Sequence, residues 1–413
     1  MKRAHGNRES LRKGLGVFKR MVPITAAFVL LLMLAACSHS GSSSDNEGGR
    51  LYTSPSGSFY IAELQGTFHQ MGRQYGLLLG PQLAEFYQIS IVDFLMGEMG
   101  ISYNDLVTNS RNTYDQMPHI FRDYLDGVAE TSGLSVDQTN IMAGSLLTLF
   151  EGGGCSSVSA WGDYTTDGKT LTGRNLDLPT LNLRRFNKYF HVVVWNPTGY
   201  PASVANIDYL GGLFYQTAIN SKGIFLELQN GQNSDTTEVN GRENTNNILM
   251  ASLFMHTLST DVDKWFNTNL PEVGLIMNGS FPDHATIYEW ATFDVAPRNA
   301  AGLISASNDF IDPSWTSPPI NFFDASKEGI GYTFTRRTNL LTLGEANKGI
   351  IDPTKMMQIM DTDIPHGGAT FPEGGYIKTI YSVVAQPSTL KIWLKVREYS
   401  GWEEIDLSRY FHE

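Results

Sequence analysis

Cysteine is almost missing from this chain. Only Cys37 and Cys155 occur in 413 residues, and Cys37 closes a signal-like segment, so Cys155 has no thiol to pair with. Stability must then come from a packed core, which the roughly 360 residues beyond the N-terminal region are enough to build. Positive charge is scarce too: 30 Lys and Arg face 42 Asp and Glu. Residues 1–36 hold seven of those bases and one of the acids, so the rest carries 23 against 41, a net charge of −18. That excess argues against nucleic acid or an anionic membrane face as the main partner. No apolar run reaches the roughly 20 residues of a membrane-spanning helix. The nine histidines are scattered singly with no i, i+4 pair, which leaves no helical metal motif. No repeat or low-complexity body is present, and no cofactor is expected.

What is abundant is glycine and aromatic side chain: 40 Gly, 22 Phe, 18 Tyr and 7 Trp, with 17% charged residues, the composition of a sheet-rich globular protein. At the N-terminus, Lys2, Arg3, Arg8, Arg12, Lys13, Lys19 and Arg20 precede the apolar run 22–36, which reads as a signal peptide over 1–36. The run ends in Leu34-Ala35-Ala36-Cys37, which resembles the bacterial lipobox. The resemblance implies cleavage before Cys37, acylation of its thiol, and a lipid anchor in the bacterial cell envelope, on the periplasmic or outer-membrane side. Residues 37–54 begin rich in Ser, Gly and Asp and are expected to form a flexible tether.

Residues 55–154 then read as a helical leader, with a short strand at 59–62 and apolar spacings of three and four over 66–79, 82–99 and 118–130. From 155 the period changes to two. Strands are expected at 156–161, 169–178, 189–195, 202–209, 214–219 and 224–228, with hairpin-type turns at 166–168 and 220–223. Helices return at 246–258 and 261–267, strands at 273–278, 286–290 and 302–306, and helical segments at 333–343 and 353–360. A closing hairpin is expected from 377–385 and 390–396. Strand runs separated by paired helices predict stacked layers of sheet and helix.

Cys155 follows Glu151-Gly152-Gly153-Gly154 and opens the strand-like run Ser156-Ser157-Val158-Ser159-Ala160-Trp161. A thiol is a nucleophile only as thiolate, which takes a nearby cation or base. A hairpin closed at Asp167-Gly168 brings Cys155 opposite 173–177, so Arg174 and Asp177 come within reach.

Gly154-Cys155, Gly173-Arg174-Asn175-Leu176-Asp177 and Ala218-Ile219-Asn220-Ser221-Lys222-Gly223 resemble, in order, the choloylglycine hydrolase and penicillin acyltransferase branch of the N-terminal-nucleophile hydrolases. Ser307-Asn308-Asp309-Phe310, Thr335-Arg336-Arg337 and the strand-like 379–384 fit further positions, and the leader resembles that of the acyltransferase-type members. The resemblance implies an α+β fold, a four-layer αββα sandwich behind a helical leader. It also implies that the chain cuts itself at Gly154-Cys155, giving an α chain that ends at Gly154 and a β chain over 155–413. The freed amine, with a pKa near 7.7 to 8, can then accept the thiol proton without a histidine. Carried over by position, Arg174 holds the thiolate, Asp177 orients the amine, Asn220 and Asn308 serve the oxyanion, and Arg336 completes the charge network, with Arg337 as its alternative. The implied substrate is a small N-acyl amide, cleaved at its linear C–N bond through a thioester.

Three other readings are open to the residues. An acyltransferase uses the same thioester with an amine in place of water. A papain-like peptidase needs a histidine such as His284 or His366, and its Cys begins a helix, not a strand. A lipid-anchored binding protein places 209–215 and Phe322-Phe323 around a cleft and leaves Cys155 as a small buried side chain.

Overall fold

Chain segments of period two assemble into two stacked sheets. In a computed structural model, residues 48–145, 154–179, 183–231, 239, 241–313, 315, 332–372, 375 and 377–412 are described. Cys37, the signal segment and the glycines at 152 and 153 lie outside them, as does Phe322-Phe323.

One sheet has nine strands: β1 (Arg50–Thr53), β2 (Tyr60–Gly66), β5 (Phe190–Pro197), β6 (Val204–Tyr209), β7 (Thr217–Asn220), β8 (Phe225–Asn230), β9 (Leu275–Ser280), β10 (Ala285–Trp290) and β11 (Val295–Arg298), adjacent in that order. The other has six, in the order β12 (Leu303–Ala306), β3 (Gly154–Ala160), β4 (Leu171–Pro179), β13 (Ile377–Gln386), β14 (Lys391–Val396) and β15 (Glu403–Asp406). Only β2 and β5 run parallel; every other described pair is antiparallel. Helices α1 (Phe68–Tyr87), α2 (Tyr103–Gln116), α3 (His119–Thr131), α4 (Val136–Ser145), α5 (Thr245–Leu253) and α6 (Ser259–Thr268) belong to the side of the nine-stranded sheet. Helices α7 (Thr333–Ala346) and α8 (Pro353–Asp361) cover the six-stranded one. The result is an α+β, four-layer αββα sandwich.

Alternation decides what each face of β3 and β4 meets. Val158, Ala160 and Leu171 point outward and pack on Leu340, Met356, Ile359 and Met360 of the covering helices. Cys155, Ser157, Ser159, Thr172 and Arg174 have the opposite parity and point between the sheets. That inner layer is unusually polar: Ser159 Oγ bonds Thr172 Oγ1 at 2.8 Å, and Asn278 Nδ2 of β9 donates to Ser159 Oγ at 2.9 Å.

The leader departs from expectation in three ways. Strand β1 begins at Arg50, inside the stretch read as tether, because Leu51 and Tyr52 find half-buried places on the sheet edge. The two helices expected at 66–79 and 82–99 are one. Thr67 and Gln70 form a capping box, and α1 runs through Pro81 to Tyr87 before winding on as a π-helix over Gln88–Glu98. Proline removes the bond to the carbonyl four residues back, but Leu77 and Pro81 are exposed, so the break falls on the solvent side of the helix, where it is tolerated. Helices α2 and α4 were not expected: α2 is mostly polar with a thin stripe of Tyr103, Leu106, Val107 and Tyr114, α4 carries little apolar periodicity, and the two pack on each other. Glycine lets α1 and α3 touch backbone to backbone, since a Cβ at Gly72 would stand 1.9 Å from Tyr124 O. No helix among the described residues is long and apolar enough to cross a membrane.

Candidate active site

The register of β3 and β4 assembles the site. Gly154 pairs with Asp177, Cys155 with Leu176 and Ser157 with Arg174, so Cys155 falls within the expected stretch 173–177, although the two strands are joined by the longer connection 161–170 and not by a tight turn at Asp167-Gly168. Cys155 is 5% exposed, and each of its polar groups is held. Its N–H donates to Asn308 Oδ1 at 2.9 Å. Its carbonyl accepts from Arg336 Nη1 at 2.6 Å and Ser307 Oγ at 3.1 Å. Its sulfur accepts from Arg174 Nη2 at 3.4 Å.

Arg174 is buried, and its fork is filled. Nε donates to Glu227 Oε2 (2.9 Å), Nη1 to the Tyr381 hydroxyl (2.7 Å) and Nη2 also to Leu228 O (2.9 Å). Burial works against its charge, but Tyr381, Cys155 and Glu227 outweigh burial and hold the guanidinium protonated. The thiol goes the other way. Burial pushes Cys155 up to about 11, with Asp177 and Glu227 adding to it against the pull of Arg174 and Arg336. Arg174 is therefore largely spent on Glu227, and in the uncut chain the sulfur stays protonated at neutral pH.

A second buried pair lies on the outer face of the same strands. Arg336 Nη1 meets Asp177 Oδ2 at 3.0 Å, and Thr379 Oγ1 donates to Asp177 Oδ1 at 2.6 Å. Burial pushes the Asp177 carboxyl up and the Arg336 guanidinium down, each opposed by the other's charge. Arg336 Nη2 also donates to Asn308 Oδ1 at 2.8 Å, so one amide oxygen joins Arg336 to the Cys155 N–H. Gly154 fits against this pair, where a Cβ would come within 3.0 Å of Asn308 Oδ1 and 3.1 Å of Arg336 Nη2.

Cys155, Arg174, Asp177, Asn308 and Arg336 therefore come together, with two changes of task. Asn308 accepts from the Cys155 N–H, while its Nδ2 is taken by Asn230 O at 2.7 Å, so the amide holds that nitrogen and has its donor engaged away from an oxyanion. Asp177 reaches that nitrogen only through Arg336 and Asn308. The arginine doublet resolves, too: Arg336 turns inward, and Arg337 pairs with Asp309 at 2.8 Å.

Asn220 is elsewhere. It ends β7, three residues from Thr217 and so about 10 Å along the strand from the end that faces Glu227. Its Nδ2 donates to Leu253 O and His256 O at the end of α5, and its Oδ1 accepts from Lys222 N and Ile224 N in the turn. Four bonds to backbone leave nothing for an oxyanion. Asn220→Ala is expected to cost about 3 kcal/mol of stability by orphaning these groups, with kcat per folded molecule retained. Loss of kcat at unchanged urea midpoint would put Asn220 back in the site.

Glu227, Tyr381, Thr379 and Ser307 were not singled out by sequence as functional. Glu227 left one signal, a carboxylate at an alternating position in the otherwise apolar Phe225-Leu226-Glu227-Leu228. His284 and His366 are surface groups bonded to Asp283 and Asp363, and neither contacts Cys155.

The fold and site thus define an αββα sandwich with a cysteine opening a central strand. No protein-family model matches the chain, and no curated protein matches it. Among solved structures, it is similar to a mutant conjugated bile acid hydrolase from Clostridium perfringens, at 14% identity and a TM-score of 0.41 over 62% of this chain and 93% of that one. It is similar also to the Caenorhabditis elegans ortholog of N-acylethanolamine-hydrolyzing acid amidase, at 13% identity and TM-score 0.40 over 57% and 93%. A penicillin V acylase from Agrobacterium tumefaciens gives 10%, 0.41, 62% and 87%.

Proposed function

We propose that this chain is an exported cysteine hydrolase of linear N-acyl amides, active after it cuts itself at Gly154-Cys155. The observation that carries the reading is the way Cys155 is held: nitrogen on Asn308, carbonyl on Arg336 and sulfur on Arg174, all buried.

In the first reaction the Cys155 sulfur attacks the Gly154 carbonyl carbon. The Gly154–Cys155 C–N bond breaks, the thiol proton passes to nitrogen, and a thioester forms. Water then cleaves the thioester, leaving a carboxylate on Gly154 and a free thiol and amine on Cys155. In turnover the amine takes the thiol proton, and sulfur attacks the substrate's carbonyl carbon. The ammonium returns a proton to the departing nitrogen as the amide C–N bond breaks. Water, activated by the amine, next attacks the acyl thioester; the acid leaves and the thiol regains its proton. Asn308 aims the amine, and Arg174 supports charge on sulfur.

Cutting does not free the leader in this reading. Strand β2 is joined to β5 of the body through seven register pairs, and α1 packs on both strands. Export, cleavage before Cys37 and lipid anchoring in the envelope belong to the same proposal and rest on the N-terminal sequence. Outside the cytoplasm water is the abundant acceptor, which favours hydrolysis over acyl transfer.

The test is intact mass after denaturation, joined to amine release from a panel of N-acyl amides, on protein from cells making the wild type and Cys37→Ala. Two fragments meeting at 154/155, amine release, and a soluble Cys37→Ala protein are expected. An uncut chain whose thiol ignores iodoacetamide sinks the hydrolase reading; a membrane-bound Cys37→Ala protein sinks the anchor alone.

A further inference from the structure

Among the buried polar atoms with no hydrogen-bond partner among the described residues are Ser156 Oγ, on the outward-facing parity of β3, and two on the β7–β8 hairpin, the Tyr215 hydroxyl and Gln229 Oε1. Buried polar groups are nearly always paired, and the exceptions collect where a ligand or water completes them. Register places both. Thr217 pairs with Glu227 and Leu228 N donates to Gln216 O, so Tyr215 stands across from Gln229 at the Cys155 end of the β7–β8 hairpin. By alternation 215, 217, 227 and 229 share one face. It is the face that meets Arg174: Glu227 takes its Nε, and Thr217 Oγ1 lies 2.9 Å from the Tyr381 hydroxyl that takes its Nη1. Gln229 Nε2 is spent on Ser157 Oγ (2.5 Å) and Glu227 Oε1 (2.8 Å), leaving the oxygen. Burial, then Glu227, raises the proton affinity of Tyr215, so its hydroxyl stays a donor.

The direction of the chemistry says which part of a substrate arrives there. The departing amine takes its proton from the Cys155 nitrogen and so leaves on the Asn308 side. The acyl group stays on sulfur, which shares Arg174 Nη2 with Leu228 O and so lies beside β8. Ser157, which Gln229 holds, is one pleat or about 7 Å along β3 from Cys155. An oxygen close to the scissile carbonyl meets these groups; one at the far end of a long chain does not.

We propose that Tyr215 and Gln229 line a polar acyl subsite, and that the chain prefers acyl groups with a hydroxyl near the scissile carbonyl, such as 3-hydroxyacyl amides, over plain alkyl ones. A hydroxyl answers both atoms, accepting from Tyr215 and donating to Gln229 Oε1. A 3-oxo group answers only the first, and an alkyl chain neither. The order 3-hydroxy, 3-oxo, unsubstituted follows. This inference rests on the amide-hydrolase reading.

The experiment measures kcat/KM of the self-processed protein on decanoyl, 3-oxodecanoyl and 3-hydroxydecanoyl amides of one amine, with Tyr215→Phe and Gln229→Leu alongside. A roughly tenfold preference for the 3-hydroxy over the plain chain is expected in the wild type, shrinking toward unity in either variant. Tyr215→Phe removes only an orphaned oxygen, so its melting temperature should equal or exceed that of the wild type. Equal rates on the three amides overturn the subsite and leave the hydrolase standing. A Tyr215→Phe protein that melts lower with its selectivity intact shows a merely structural hydroxyl, and that also overturns it. Cleavage of none of the three overturns both readings.

Discussion

Cys155→Ala is expected to yield one uncut chain that releases no amine from any N-acyl amide. In the proposed mechanism the same sulfur makes both thioesters, and beyond Cys37 the sequence holds no other thiol. Removing a nucleophile that acts as a unit with its base costs on the order of 10⁴-fold or more in turnover. The fold should survive, because Arg174 keeps Glu227, Tyr381 and Leu228 O when the sulfur goes, and a Cys-to-Ala change leaves little cavity, about 1 kcal/mol. Intact mass and an amine-release assay on the folded variant read the result; fragments meeting at 154/155 would refute the assignment. In wild-type protein sampled before it cuts itself, alkylation offers a pH check. With the thiol pushed up to about 11, iodoacetamide labelling should rise about tenfold per pH unit from neutrality toward that value. The linked stability change has a definite sign. Below pH 9 the thiol is neutral folded and unfolded; between 9 and about 11 only the unfolded chain ionises, so stability falls across that window.

Asp177→Asn is expected to destabilise the protein by about 3–5 kcal/mol, the range for breaking a buried ion pair from one side. Asp177 and Arg336 are 0% and 1% exposed, so neither charge is screened by bulk solvent. Arg336 would retain hydrogen bonds to Cys155 O and Asn308 Oδ1, but as a buried cation without the carboxylate opposite it. Self-cleavage should slow as well, since that guanidinium fixes both Asn308 and the Cys155 carbonyl. The companion is Arg336→Met. If the two residues act as a pair, the double variant should cost less than the two single costs combined, because no unpaired charge is left buried. Urea midpoints of the four proteins give the cycle. A single Asp177→Asn loss under about 1 kcal/mol would mean that the pair does not carry the charge balance assigned to it.

How far the sequence could be read depends on what each feature requires. Most strands of the body were legible because each is bounded by turn residues and holds its alternation, but the short edge strands β11 and β15 were not; the polar connection around Asp167-Gly168 was enough to pair the Cys155 strand with 171–179. Strand β1 and helix α2 were not, since an edge strand and a mostly polar helix are stabilised by neighbours distant in sequence. Pro81 read as a break because local propensity does not register that the lost bond falls on the solvent side. In the site, Arg174 and Asp177 share a strand with known spacing, and that was enough. Asn220 read as functional because its turn looks like a motif, while the structure spends it on the end of α5.

By itself, then, the sequence determined the layered α+β plan, the one thiol able to act in the body, and the two strands that bring it to Arg174 and Asp177, because turn chemistry and period two are local properties. Only the tertiary structure decided that Asn308 holds the Cys155 nitrogen, that Arg336 and not Arg337 faces inward, and that Glu227 neutralises Arg174 from the opposite sheet. Those choices join residues 53 to 181 positions apart. They depend on how two sheets and a helix stack, and no local pattern encodes that distance.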